Sequence, residues 1–396
     1  MSEEAQISRL LTHRVDEVIV KDNLESRLKS GRKLRIKLGA DPSRPDLHLG
    51  HAVVLGKLKE FQELGHQVVF LIGDFTARIG DPSGKSKTRP MLSDDDIKSN
   101  AATYFRQVGR ILDISKCEIR YNSEWLSQLT AAEFIDLSSK FTVARILERD
   151  DFTNRFRNQT DIYIHELLYP MLQAYDSIIL RADVEIGGTD QKFNMLAGRD
   201  LARRAGTLEQ DVITCSILVG TDGVHKMSKS LNNYIAIEDS AEQMFGKTMS
   251  IPDTALTNWM ELVSDYDRAM VVQERTALEA GANPRDVKMR LATRITAMYH
   301  GDDAAIAAQQ EFVSRFQKKL LPTEIPEKIV LNDQAAMALC ADLFALSKSE
   351  ARRLIEQGGI RFDGSPLENP LMHVHIPPEG MVVNKGKLHF VRIKAQ

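Results

Sequence analysis

Two short segments carry residue types that could act on phosphate. His48-Leu-Gly-His51 follows a proline-bounded loop and directly precedes an apolar, helix-spaced run. Histidines three apart share one face of a helix's first turn. Gly50 removes a side chain, so a ligand can approach the backbone there. The helix N-terminus adds partial positive charge, which suits a phosphate. The alternative use is local, with both imidazoles capping the helix. Far along the chain, Lys226-Met-Ser-Lys-Ser230 follows Gly220-Thr-Asp-Gly223. Its lysines and serines offer cations and hydroxyls to a polyphosphate, the alternative being a solvated basic loop.

The elements that must position these groups are those of an α/β fold. Leu34, Ile36 and Leu38 alternate with basic residues and predict a strand ending at Asp41, with Pro42 and Pro45 bounding the loop after it. Val54, Leu55, Leu58 and Phe61 fall at helical spacing up to a stop at Gly65. Val68–Ile72 is wholly apolar, as expected of a strand buried on both faces. Ser93-Asp-Asp-Asp96 reads as a capped helix start. Strands are expected at Val184–Gly188 and Val212–Val219, with a helix over 189–205 between them. The His48 turn thus lies at the carboxyl end of a strand, where open α/β sheets hold ligands.

Residues 123–165 are charged and helical in pattern and read as an insertion between two halves of a parallel sheet. Together, 1–240 read as one α/β domain on a parallel sheet. From 241 to 320 strand signals vanish and Asn283-Pro284 marks a helix start, giving a helical domain. Residues 321–333, with Pro322 and Pro326, read as a linker. The tail, 334–396, has a helix at Ser347–Gln357, a Gly358-Gly359 stop and short strands around 363–364 and 384–386. It is a small α+β module.

Composition narrows the function classes. The 396 residues hold 52 Lys+Arg against 55 Asp+Glu, a formal net charge of -3, which excludes a uniformly basic nucleic-acid coat, and no DNA partner is expected. The three cysteines, Cys117, Cys215 and Cys340, never form CxxC, so neither a disulfide framework nor a zinc pattern is expected, and no protein metal site. A polar, acidic start and the lack of any membrane-length apolar run predict a cytoplasmic protein with no membrane partner. Gly80-Asp-Pro-Ser-Gly84-Lys85-Ser86 has a P-loop's composition but three residues between its glycines, where that loop needs four. No GxGxxG follows the first strand, so P-loop and dinucleotide readings fail.

His48-Leu-Gly-His51 early and Lys226-Met-Ser-Lys-Ser230 after the last sheet strand, taken as a pair, resemble the two signatures of class I aminoacyl-tRNA synthetases. Gly80-Asp81-Pro-Ser-Gly84, Tyr169-Pro-Met-Leu-Gln173-Ala-Tyr-Asp176 and Gly187-Gly-Thr-Asp190-Gln191 resemble the tyrosyl members of bacterial type. On a helix Tyr169, Gln173 and Asp176 fall at i, i+4 and i+7, one face presenting a phenol, an amide and a carboxylate. The resemblance implies that Tyr169, Gln173 and Asp81 hold the substrate ammonium, that Asp176 accepts from the phenol hydroxyl, and that Asp190 and Gln191 complete the ribose and substrate contacts. A carboxylate left without its donor would reject phenylalanine. Lys37 stands where many members carry a tyrosine, Ser43 for the usual Thr, and Glu185 for a Gln. Lys37 and Glu185 resemble a bacterial subgroup, and Lys37 is left without a role.

The resemblance further implies that 1–240 is a catalytic Rossmann-like domain, with a helical anticodon-side domain over 241–320, an S4-like RNA-binding module with Lys348, Arg352 and Arg353 on its helix, and a homodimer formed through the insertion. The reaction it implies has two steps. Tyrosine and ATP give tyrosyl-adenylate and pyrophosphate, and the terminal ribose of tRNA(Tyr) then takes the tyrosine. No protein nucleophile is needed. His48 and His51 would bond the nucleotide, with Asp41, Ser43, Gly50, Asp190, Ser228 and Ser230 around ATP. Lys226, Lys229, Lys85 and Arg89 would clamp the pyrophosphate, with Mg2+ carried by the substrate phosphates. Competing readings are a tryptophanyl-type synthetase, another nucleotidyltransferase with the same His-x-Gly-His pattern, and a catalytically idle, synthetase-derived RNA-binding protein.

Overall fold

The computed structural model describes residues 2–42, 46–82, 93–316, 325–367, 369–386 and 389–396. Ser43, Lys85 and Arg89 lie outside them. Two compact units divide the chain, residues 1–306 and 307–396.

The first unit is built on a six-stranded sheet of β1 (Val15–Ile19), β2 (Arg35–Ala40), β3 (Gln67–Ile72), β4 (Glu118–Tyr121), β5 (Val184–Gly188) and β6 (Asp211–Cys215), in the order β1-β6-β5-β2-β3-β4. All neighbours run parallel except the edge pair β1 and β6. The sheet therefore has the expected parallel core, with one antiparallel strand, β1, added at its edge. Val15-Asp-Glu-Val-Ile19 escapes reading because two adjacent acids break its alternation. The central strands are largely buried, as parallel strands covered on both faces must be, and they are mostly apolar apart from Lys37 on β2 and Glu185 on β5. From β2 the chain steps through β3 to β4 on one side, then returns to build β5 and β6 on the other. Strand order reverses between β2 and β5, and their carboxyl ends open a crevice there.

Helix Leu49–Glu63 joins β2 to β3, and Asp94–Val108, capped by Ser93, joins β3 to β4. Between β4 and β5 come the helices of the insertion and then Ile164–Ile179, which carries Tyr169, Gln173 and Asp176. Strand β6 ends at Cys215, earlier than the expected 219, because its edge partner β1 begins only at Val15: Arg14 takes a φ of 61° and accepts from the Ser216 amide at 3.0 Å as the last bond of the pair. The helices Ala241–Met249, Leu256–Val263 and Pro284–His300 bury Met244, Trp259 and Ile295 in the same core as the sheet's Ile36 and Phe70. The expected border at 240/241 is thus not one between compact units.

The second unit has its own core and a five-stranded sheet of β7 (Glu327–Val330), β9 (Ile360–Phe362), β10 (Ser365–Pro366), β12 (Met381–Lys385) and β13 (His389–Ala395). A separate pair joins β8 (Gln334–Ala335) to β11 (His373–Val374). Strand β7 falls inside the stretch expected to be a linker. It pairs parallel with β13, since Lys328 to Val330 find backbone partners at Ile393 to Ala395. Among the described residues, no helix is long and apolar enough to cross a membrane.

Candidate active site

A cavity of about 400 Å³ opens at the strand-order reversal, walled by the ends of β2 and β5, the His48 turn and the Lys226–Ser228 segment. That size suits a small ligand.

The His48 turn owes its shape to its own residues. His48 is the N-cap of the Leu49–Glu63 helix. The Gly50 amide donates to His48 Nδ1 at 3.1 Å, and the His48 amide donates to His51 Nδ1 at 3.2 Å. A side chain at 50 would meet the His48 ring at 2.9 Å, so only glycine fits. Both Nδ1 atoms accept, which places the proton of each neutral ring on Nε2. Local capping and ligand binding are therefore not rivals, because the cap turns each imidazole into an N–H donor. Burial, with His51 and the cations of Lys229 and Lys226 nearby, takes His48 down to about 2. His51 lies open to the cavity, yet the walls around it and Lys229 hold it below the ordinary imidazole value. Both rings stay neutral at physiological pH.

The lysine-bearing loop meets this turn through backbone and side chain. His48 bridges Ala236, and the Leu49 amide donates to the Ile235 carbonyl at 3.0 Å. Met227 is buried against the Gly50 backbone. Lys229 Nζ donates to the Asp46 carbonyl at 2.5 Å, beside His48, and Lys226 Nζ to Asp190 Oδ2 at 3.0 Å, at the end of β5. One lysine thus reaches each wall. The Ser228 and Ser230 hydroxyls pair at 2.8 Å, and Asn233 Oδ1 receives the Ser228 amide.

The other end of the cavity is a buried polar network. Asp176 accepts from Trp125 Nε1 at 2.8 Å and from Asn122 Nδ2 at 3.2 Å. Burial pushes its carboxyl up to about 7, against the pull of Lys37 and its two donors. Asn122 Nδ2 also donates to Thr76 Oγ1, which donates to Asp41 Oδ1 at 2.8 Å, while Tyr169 Oη donates to Asp41 Oδ2 at 2.9 Å. Gly73 is required here, since a Cβ would lie 2.0 Å from Asp41 Oδ1. Asp41, expected beside ATP, is thereby tied to Tyr169 at the expected ammonium end. Asp81 accepts from Gln191 Nε2 at 2.6 Å and lies 3.6 Å from the Arg149 guanidinium. Gln173 Oε1 accepts from Asn194, and its amide donates to Glu185 at 3.3 Å.

Of the expected residues, His48, Gly50, His51, Asp41, Asp81, Tyr169, Gln173, Asp176, Asp190, Gln191, Lys226 and Ser228 line the one cavity. Lys229 and Ser230 adjoin it on the same loop. Lys348, Arg352 and Arg353 lie exposed on the helix Lys348–Glu356 of the second unit. Sequence reasoning missed Thr76, Asn122, Trp125, Asn194 and Arg149. The signal was weak, a single polar or aromatic residue in each of several unrelated segments. Among the described residues, no three His, Cys, Asp or Glu side chains cluster to hold a metal ion.

The family described as tRNA synthetases class I (W and Y) matches residues 29–317, and the S4 domain matches 337–382. The chain is 50% identical to a tyrosine–tRNA ligase of Thermotoga maritima over 99% of this chain and 98% of that one. It is 49% identical to the enzyme of that name from Haemophilus influenzae, over 96% and 94%. In fold it is similar to the solved tyrosyl-tRNA synthetase of Archaeoglobus fulgidus, with a TM-score of 0.63, 22% identity, and coverage of 78% of this chain and 100% of that one. A truncated mitochondrial tyrosyl-tRNA synthetase from Aspergillus nidulans gives a TM-score of 0.66 at 21% identity, over 80% and 94%. With both signature segments on one cavity and this kinship along its length, the chain belongs to the class I tRNA synthetases of the tryptophan and tyrosine type, among the tyrosine–tRNA ligases.

Proposed function

We propose that the protein joins L-tyrosine to tRNA(Tyr) through a tyrosyl-adenylate. The observation that carries this reading is the single cavity that has the His48 turn and the Lys226 loop at its mouth and Asp176 at its floor. Tyrosine lies with its phenol at Asp176 and its ammonium among Asp41, Asp81, Tyr169 and Gln173. Each Asp176 oxygen already accepts one donor and has a lone pair left for the phenol hydroxyl. The carboxylate then faces the nucleotide and attacks the α-phosphorus, expelling pyrophosphate. In the second step the terminal ribose hydroxyl of tRNA displaces AMP.

The protein's part is positioning and charge stabilisation. The Nε2–H groups of His48 and His51 donate to oxygens on which charge builds, and being neutral they do so without a proton transfer. Lys226 and Lys229 exchange their carboxylate and carbonyl partners for pyrophosphate, joined by Lys85 and Arg89. Asp190 receives the ribose hydroxyls. Carried by the ATP phosphates, Mg2+ would offset part of their charge beside Lys226 and Lys229.

Residues 241–320 lie on the anticodon side, and Lys348, Arg352 and Arg353 contact RNA phosphates. The insertion exposes Ile135 (68%), Phe156 (66%) and Ile164 (78%), apolar surface that supports a homodimer through this face. The three free cysteines suit a reducing cytoplasm. ATP–pyrophosphate exchange on purified protein is the test. Exchange with tyrosine and none with tryptophan is expected, and exchange with tryptophan alone would overturn the assignment.

A further inference from the structure

Lys37 and Glu185 have no part in the mechanism above, although they are the most deeply buried ion pair at the cavity. Lys37 has no exposure, and its ammonium donates to Glu185 Oε1 at 2.9 Å, Ser177 Oγ at 2.7 Å and the Gln173 carbonyl at 3.4 Å. Glu185 also accepts from Ser177 Oγ at 2.7 Å, Gln210 Nε2 at 3.0 Å and the Gln173 amide at 3.3 Å. One residue sits on β2, the other on β5, paired across the strand-order reversal at backbone register Lys37 to Glu185. Both pin the helix that carries Gln173 and Asp176. An ion pair buried this fully is no reliable source of stability, since desolvation offsets much of its attraction. Its placement asks for a different use.

We propose that Lys37 and Glu185 are positioning residues for substrate selection: an opposed pair that holds the Asp176 carboxylate as an acceptor for a phenol hydroxyl without touching the substrate. The inference rests on the tyrosine reading above. Three observations support it. Lys37 already spends its donors on Glu185, Ser177 and a carbonyl, so it is not arranged as a second ligand for the hydroxyl. Among the charged groups around Asp176, Lys37 is the strongest influence favouring its ionised form, and Glu185 opposes it. Asn122 and Trp125 donate to Asp176 from the β4 side, where the Arg120 guanidinium lies over the Trp125 ring at 5.3 Å, and Tyr169 shares its helix; of these groups Lys37 alone is held by Glu185 at the strand-order reversal.

The two members should act in opposite senses. Without Lys37 the carboxyl holds its proton to higher pH and meets tyrosine as a donor. Without Glu185 it ionises at lower pH. The test is the pH dependence of kcat/KM for tyrosine in pyrophosphate exchange, with phenylalanine run as a second substrate. For Lys37→Met the acidic limb moves up by about one pH unit, and the preference for tyrosine over phenylalanine at pH 7 falls about fivefold. For Glu185→Gln the limb moves down. Limbs that stay at the wild-type position, or that move together, overturn the proposal, as does an equal rise in KM for both amino acids. Should Lys37→Met fail to fold, Glu185→Gln decides alone, a downward shift supporting the pair and any other result refuting it. Wild-type protein that exchanges with no amino acid sinks the tyrosine reading itself, whereas active wild type with unshifted variants sinks only the pair.

Discussion

The two ends of the cavity are built in opposite ways. At the phosphate end, His48, His51, Lys226 and Lys229 come from two contiguous segments, and the rings take their geometry from bonds within one turn. At the tyrosine end, Lys37, Thr76, Asn122, Trp125, Asp176 and Glu185 come from separate elements and are linked only after the sheet has formed. The first end keeps part of its charge accessible and bonded to partners that a phosphate can replace. The second is buried and already satisfied, a preorganised network with little freedom to adapt. Rate should therefore be set at one end and choice of amino acid at the other.

The largest effect expected falls at the phosphate end. His48→Ala or Lys229→Ala should slow adenylate formation a hundred- to a thousandfold, about 2.7–4 kcal/mol for one lost charge-stabilising donor. Rapid-mixing fluorescence would measure that rate, and equilibrium dialysis should find tyrosine affinity nearly unchanged. Equal losses in both would erase the division between the ends. At the other end Asp176→Asn should reverse the pattern. The preference for tyrosine over phenylalanine falls about tenfold to a hundredfold, the range of a hydrogen bond to a charged group, as read from the two kcat/KM values.

Acid sharpens the contrast more gently. His48 and His51 are held below the ordinary 6.5, as are His13 and His66 through burial. Unfolded imidazoles take protons that folded ones refuse, so stability is full above pH 6.5 and declines as pH falls below it. Denaturant midpoints at pH 7.5 and 5.5 would register the decline, while the rate of adenylate formation should show no imidazole step between pH 6 and 8. The smallest effect concerns the ion pair of Lys226 with Asp190, both half-exposed. Lys226→Ala should move the unfolding free energy by no more than ~0.5 kcal/mol, because exposed pairs are screened. A larger loss would mean that the loop supports the fold as well as the chemistry.

Legibility in the sequence followed the same division. A helix preceded by His48, a buried run at Val68–Ile72 and the i, i+4, i+7 face of Tyr169, Gln173 and Asp176 depend on neighbours close in the chain, and all were readable. The antiparallel edge strand β1 was not, because its partner lies some two hundred residues away at β6 and its two acids mask the alternation. Strand β7 hid among prolines for a similar reason, since only β13 gives its backbone a partner. Asn122 and Thr76 carry no local pattern at all. Their meaning comes from Asp41 and Asp176, which the fold brings to them. Lys37 and Glu185 stood out by type, yet their pairing needed β2 and β5 to be adjacent.

The central claim, one cleft that reads a phenol at its floor and a nucleotide at its mouth, is tested most directly by a crystal structure with a non-hydrolysable tyrosyl-adenylate analogue. The account expects the phenol oxygen within hydrogen-bond reach of Asp176, the ribose beside Asp190, and the His48 and His51 Nε2 atoms facing the nucleotide. An analogue lying in the reverse sense, or settled away from the 48–51 turn, would contradict it.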